Sequence, residues 1–182
     1  MEPSEALGIA AQVAVALAGF AGVVVVFRRE AVHEWSGIDK LRLRLLLANS
    51  ILPLGLSMLG LLLLTVEPMP PGIWRWCSAI ALVATLSFVT AITKIYRRSD
   101  LKEVQRQRDT RFIFYLFGAF GVVAMLLQLF NIMLLGVFWP FLAGIVYQLA
   151  TAMAQFARMI LLMPDKAAHC LCGASYSAAS VS

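Results

Sequence analysis

Long apolar runs, each interrupted by a short polar or basic segment, dominate the pattern of this chain. Five of them reach the roughly 20 residues that a helix needs to cross a hydrocarbon core: 6–27, 45–66, 73–95, 112–135 and 140–163. The first closes on Arg28-Arg29 and the second on Glu67-Pro68. The third opens after Pro70-Pro71-Gly72 and closes on Tyr96-Arg97-Arg98. The predicted fold class is therefore an all-α integral membrane protein, a bundle of five transmembrane helices. The runs fill more than half of the 182 residues, so 1–166 read as one domain and 167–182 as a small polar tail.

The boundary between the fourth and fifth runs is the least marked, because nothing charged stands between Arg111 and Arg158. That stretch is too long for one span. Gly136-Val137-Phe138-Trp139-Pro140 is its best turn, since proline fits the first turn of a helix, where a missing N–H costs nothing. Ser36-Gly37-Ile38-Asp39 resembles a helix start with a carboxylate three residues on. It would extend the second helix through Leu41–Arg44 below the membrane. Asp100–Glu103 predicts a similar short segment over 101–107.

Charge placement orients the bundle. All but one of the fifteen Lys+Arg fall in the first loop, the third connection or the last helix end and tail; the opposite side holds only Arg75. Basic residues collect on the cytoplasmic face, so the N-terminus is expected outside and the C-terminus in the cytoplasm, across a plasma membrane of the prokaryotic inner-membrane type. Four helices would scatter the basic groups over both faces. Arg28, Arg29, Arg97 and Arg98 are expected at anionic lipid headgroups, at about 1 kcal/mol each. Trp74, Trp76 and Trp139 are expected at the outer headgroup level. The start, Met1-Glu2-Pro3-Ser4-Glu5, is acidic where a secretory signal is basic.

Composition narrows the classes further. Hydrophobic residues make up 61% and charged ones 14%, against about half and a quarter in soluble domains. That excludes a disordered chain and argues against a soluble one. The net charge of +5 follows from topology, so no nucleic-acid partner is expected. No Asp, Glu, His, Lys or Arg stands at mid-depth in any run, and proton relays and most intramembrane hydrolases need such groups. His33 and His169 fall in loops. Neither an enzyme nor a cofactor is expected. His169, Cys170 and Cys172 lack zinc spacing and a fourth ligand, and with Cys77 they form no disulfide framework, so no metal is expected either.

What remains are small and uncharged polar residues at helical spacing. Gly8, Gln12, Val15, Gly19, Gly22 and Val26 share one face of the first helix, beside a stripe of Ala11, Ala14, Ala18 and Ala21. Small side chains let membrane helices approach closely. The glycine face is thus expected to pack within one subunit, or to serve as an oligomer contact through Gly8, Val15, Gly19 and Gly22. In the fifth helix Gln148, Thr151, Gln155 and Arg158 recur at three- and four-residue steps, with Gly144 extending the face. Polar groups along such a line must avoid lipid. Gln128 and Asn131 lie a turn apart in the fourth helix, Ser87 and Thr90 share a face of the third, and Asn49 and Ser50 precede Pro53 in the second. Interhelical hydrogen bonds are their plainest use.

A five-helix bundle without an internal repeat is thin for a transporter. The sequence therefore points to a homo-oligomeric, channel-like or pore-forming protein. Its weakly selective path would be lined by Gln148, Thr151 and Gln155, with Arg158 at the cytoplasmic mouth and Gln12 as second choice. The rival is a non-conducting scaffold or subunit that docks a partner through its first helix or basic loops. A third possibility is a lipid or small-molecule binder using the bundle interior.

Overall fold

A computed structural model describes residues 2–27, 37–66, 72–98 and 108–161 of the chain. The described residues form helices α1 (Pro3–Phe27), α2 (Gly37–Leu64), α3 (Ile73–Arg98), α4 (Arg108–Phe130) and α5 (Phe138–Leu161). Helices α1, α2, α3 and α5, and α4 together with the residues that follow it to Leu135, each hold a segment long and apolar enough to cross a membrane. No strand occurs among the described residues. Arg28, Arg29, the 101–107 segment and the 167–182 tail with His169, Cys170 and Cys172 lie outside the described residues, as do the side chains of Arg97 and Arg98.

The chain runs back and forth between two ends of the bundle. One end carries the N-terminus, the α2–α3 connection and the α4–α5 turn; the other is the basic end. Helix α5 touches all four others, α1 and α2 pack closely on it and on each other, and α3 and α4 pack more loosely. The core is built where apolar side chains recur on one face: Leu7, Ala10, Ala14 and Leu17 of α1 meet Leu46 and Leu56 of α2 and Phe141, Ile145 and Leu149 of α5. A Cβ at Gly60 would lie 2.8 Å from Leu7 Cδ1 and 3.4 Å from the Phe141 ring, so a glycine there allows α1 and α5 to close on α2. Helices α3 and α4 leave Val83, Leu86, Phe120, Val123 and Leu126 exposed.

Helix α2 starts at Gly37, in keeping with the helix-start pattern at Ser36–Asp39. Pro53 is buried inside it; lacking an N–H, it leaves the Asn49 carbonyl without its helical donor.

The α4–α5 junction departs from the predicted run. Helix α4 ends at Phe130 and continues as a π-helical segment, Asn131–Leu135. The Gly136 N–H donates to the Asn131 carbonyl at 2.9 Å, the five-residue step of a π turn. Gly136 then reverses the chain at φ 63°, a left-handed conformation that favours glycine. Helix α5 begins at Phe138 rather than 140, with Pro140 still in its first turn. Trp76 and Trp139 are exposed, whereas Trp74 is half-buried, its ring centroid 4.7 Å from that of Phe138 and 6.1 Å from that of Phe141.

Candidate functional site

The polar face of α5 turns into the bundle. Gln148 and Thr151 are 5% and 7% exposed, on the same side as core residues Ile145, Leu149 and Ala152. The Gln148 Nε2 donates to Thr85 Oγ1 of α3 at 3.1 Å, and Thr85 donates to its own helix at Ala81 O, 2.7 Å away. The Thr151 hydroxyl donates to the Tyr147 carbonyl one turn back at 2.9 Å. Gln155 is half-buried, and its Oε1 accepts no hydrogen bond from any described residue. Arg158 is half-buried at the basic end, within electrostatic reach of Arg42. A pore between subunits needs its liners on an outer face; Gln148 and Thr151 are instead enclosed within a single chain.

Two glycines allow α4 and α5 to exchange polar side chains. The Gln128 amide of α4 lies where a Cβ on Gly144 would stand, and the Tyr147 hydroxyl of α5 lies 2.8 Å from where a Cβ on Gly121 would stand. Gln128 Nε2 donates to the Pro140 carbonyl at 2.9 Å, and the Tyr147 hydroxyl donates to the Phe117 carbonyl at 2.6 Å. A small cavity of about 20 Å³ sits beside these groups, lined among others by Thr85, Gln128, Tyr147 and Gln148.

Asn131 is fully buried and ties three segments together. Its Nδ2 donates to Ser78 Oγ of α3 at 2.7 Å and to the Val137 carbonyl at 3.0 Å. Its Oδ1 accepts the Val137 N–H at 3.0 Å. The side chain thus satisfies both backbone groups of Val137 and fastens the α4–α5 turn to α3. These bonds are made by the first residue of the π segment.

The other polar positions of the apolar helices divide. Asn49 is buried. Ser87 and Thr90 are exposed and join no helices: their hydroxyls donate to Val83 O at 2.8 Å and Ser87 O at 2.9 Å on their own helix. The bonding face of α3 carries Ser78 and Thr85 instead. Sequence reasoning missed that pair, although a seven-residue spacing, two helical turns, could have marked it.

On α1 the two small-residue stripes separate. Ala11, Ala14 and Ala21 are buried and Ala18 half-buried. Gly19, Gly22, Gln12, Val15 and Val26 are exposed and Gly8 is half-buried. Among the described residues, nothing beyond the helix's own nearby backbone lies within 4 Å of where a Cβ on Gly8, Gly19 or Gly22 would stand. The alanine stripe packs into the bundle, and the open space is on the glycine side. Gln12 makes no hydrogen bond with any described residue.

Compared with family models, curated proteins and solved structures, the chain matches none.

Proposed function

We propose that this chain is a multi-pass membrane subunit that associates with further copies of itself through the glycine face of α1 and does not conduct. The bundle threads a prokaryotic-type inner membrane five times, with the N-terminus outside and the basic end in the cytoplasm, where its Lys and Arg meet anionic headgroups. The observation that carries this reading is Gln12. Its side chain is exposed near the middle of the α1 crossing segment, Pro3–Val23, between glycines that leave open space. An amide facing acyl chains without a partner costs several kcal/mol. A second α1 laid against Gly8, Gly19 and Gly22 brings a second Gln12 amide within reach, and two amides can each donate to the other.

The particle mass in mild detergent tests the reading. Native protein is expected to run as an oligomer and Gly19→Leu as a smaller species. A native mass of one protomer overturns it, and a stoichiometric second polypeptide replaces self-association by a foreign partner. A cysteine at Ser4 that reagents outside intact cells fail to label contradicts the orientation.

The conducting alternative keeps one observation in its favour. Gln148 Oε1 and Gln155 Oε1, a helical stretch apart on α5, both lack a donor among the described residues, as groups along a wetted path would. Such a path would run inside one bundle. Flux through reconstituted liposomes that falls on Gln155→Leu or Thr151→Leu would support it.

A further inference from the structure

Gln128 and Gln148 are both 5% exposed, both line the cavity of about 20 Å³ among α2, α3, α4 and α5, and neither Oε1 accepts a hydrogen bond from any described residue. The hydrogen bonds the neighbouring donors make go elsewhere. Gln128 Nε2 donates to Pro140 O, Gln148 Nε2 to Thr85 Oγ1, the Thr85 hydroxyl to Ala81 O and the Tyr147 hydroxyl to Phe117 O. The unmet demand at the cavity is thus for a donor to the two Oε1 atoms, with Leu56, Phe141 and Ile145 among the lining residues between them.

We propose that this cavity binds one water molecule, which donates one hydrogen to Gln128 Oε1 and the other to Gln148 Oε1. Size and chemistry agree. A water needs roughly 10–15 Å³ of such space and at least two polar partners, and two orphaned acceptors in a low-dielectric interior are a strong demand for a double donor. A bare cation also suits oxygen ligands. However, no Asp or Glu lines the cavity, and a buried charge without a counter-charge is far more costly than two unmet acceptors. The water joins α4 to α5 at the place where Gly121 and Gly144 admit Tyr147 and Gln128, and through Gln148 it reaches α3. The site belongs to a single chain and does not depend on how copies assemble.

A structure of the full chain in lipid nanodiscs at a resolution that shows ordered water tests this directly. A density peak at roughly 2.6–3.2 Å from both Oε1 atoms is expected; a dry cavity, or a peak touching neither oxygen, overturns the proposal. Melting temperatures give an independent arm. Ala124→Val adds methyl groups to a residue of the cavity wall. If it expels the water, the melting temperature falls by roughly 2–4 °C, whereas filling a dry cavity raises it. In the Gln128→Met/Gln148→Met background the same Ala124→Val change is expected to cause no fall; an equal fall there shows a clash rather than a lost water and overturns the claim. Sodium, ammonium and choline chloride at equal ionic strength are expected to give equal melting temperatures. A rise specific to sodium or ammonium assigns the site to a cation instead.

Discussion

Two faces of this bundle are built at the same helical rhythm and meet opposite fates. On α5 the repeat carries Gln148, Thr151 and Gln155; it turns inward, and its first two members hydrogen-bond inside the chain. On α1 the repeat carries Gly8, Gln12, Gly19 and Gly22; Gln12, Gly19 and Gly22 are exposed, and a Cβ at any of the three glycines would meet open space among the described residues. The difference teaches that rhythm selects a face but not its environment. In water an apolar face must turn inward. In a bilayer the acyl chains are as apolar as leucine, so only polar groups and close-packing glycines carry a directional demand. On α5 the Gln148 amide N–H and the Thr151 hydroxyl find acceptors on Thr85 and Tyr147 within the protomer. On α1 the demand of Gln12 is left for a neighbour.

The largest expected effect on this contrast comes from removing the inward network at its most buried point. Asn131→Ala strips Ser78 and both backbone groups of Val137 of their partners. Unfolding in detergent or bicelles should show a loss of about 2–4 kcal/mol; a loss no larger than that of an exposed site would contradict the assigned hub. Gly144→Ala comes next. Its new Cβ meets the Gln128 amide, and overpacking of this kind costs about 1–3 kcal/mol. Gly19→Ala meets open space and should leave protomer stability within about 0.5 kcal/mol while weakening self-association. Similar behaviour of the two glycine variants would erase the contrast. Gln148→Leu removes the bond to Thr85, and membrane helix hydrogen bonds average about 0.6 kcal/mol, so a loss near that value should appear in chemical unfolding. Ser87→Ala is the smallest: its hydroxyl bonds its own helix on an exposed face, and no measurable change in melting temperature is expected.

Much of the architecture was legible because it rests on local pattern. Run length announced five helices, and Ser36–Asp39 announced that α2 begins well before its apolar part. The turn at Gly136 followed from glycine and proline in a stretch without charge. The π segment was not legible, since its first residue, Asn131, bonds to Ser78, 53 residues away in sequence. On α5, the spacing already showed that Gln148 and Thr151 must hide from lipid, but not whether they hide inside one chain or between chains. On α3, Ser87 and Thr90 drew attention by sharing a face, yet short hydroxyl side chains can satisfy themselves on the preceding turn; Ser78 and Thr85 face the partners that matter. The alanine and glycine stripes of α1 are both small and both periodic, and only the positions of the other helices separate them.

Oxidative cross-linking in native membranes tests most directly whether α1 faces outward and the α5 stripe inward. Gly19→Cys should form a disulfide-linked dimer of the chain, and Gln148→Cys should remain a single chain under the same oxidant. Efficient dimers through position 148 with none through position 19 would contradict the assignment of both faces.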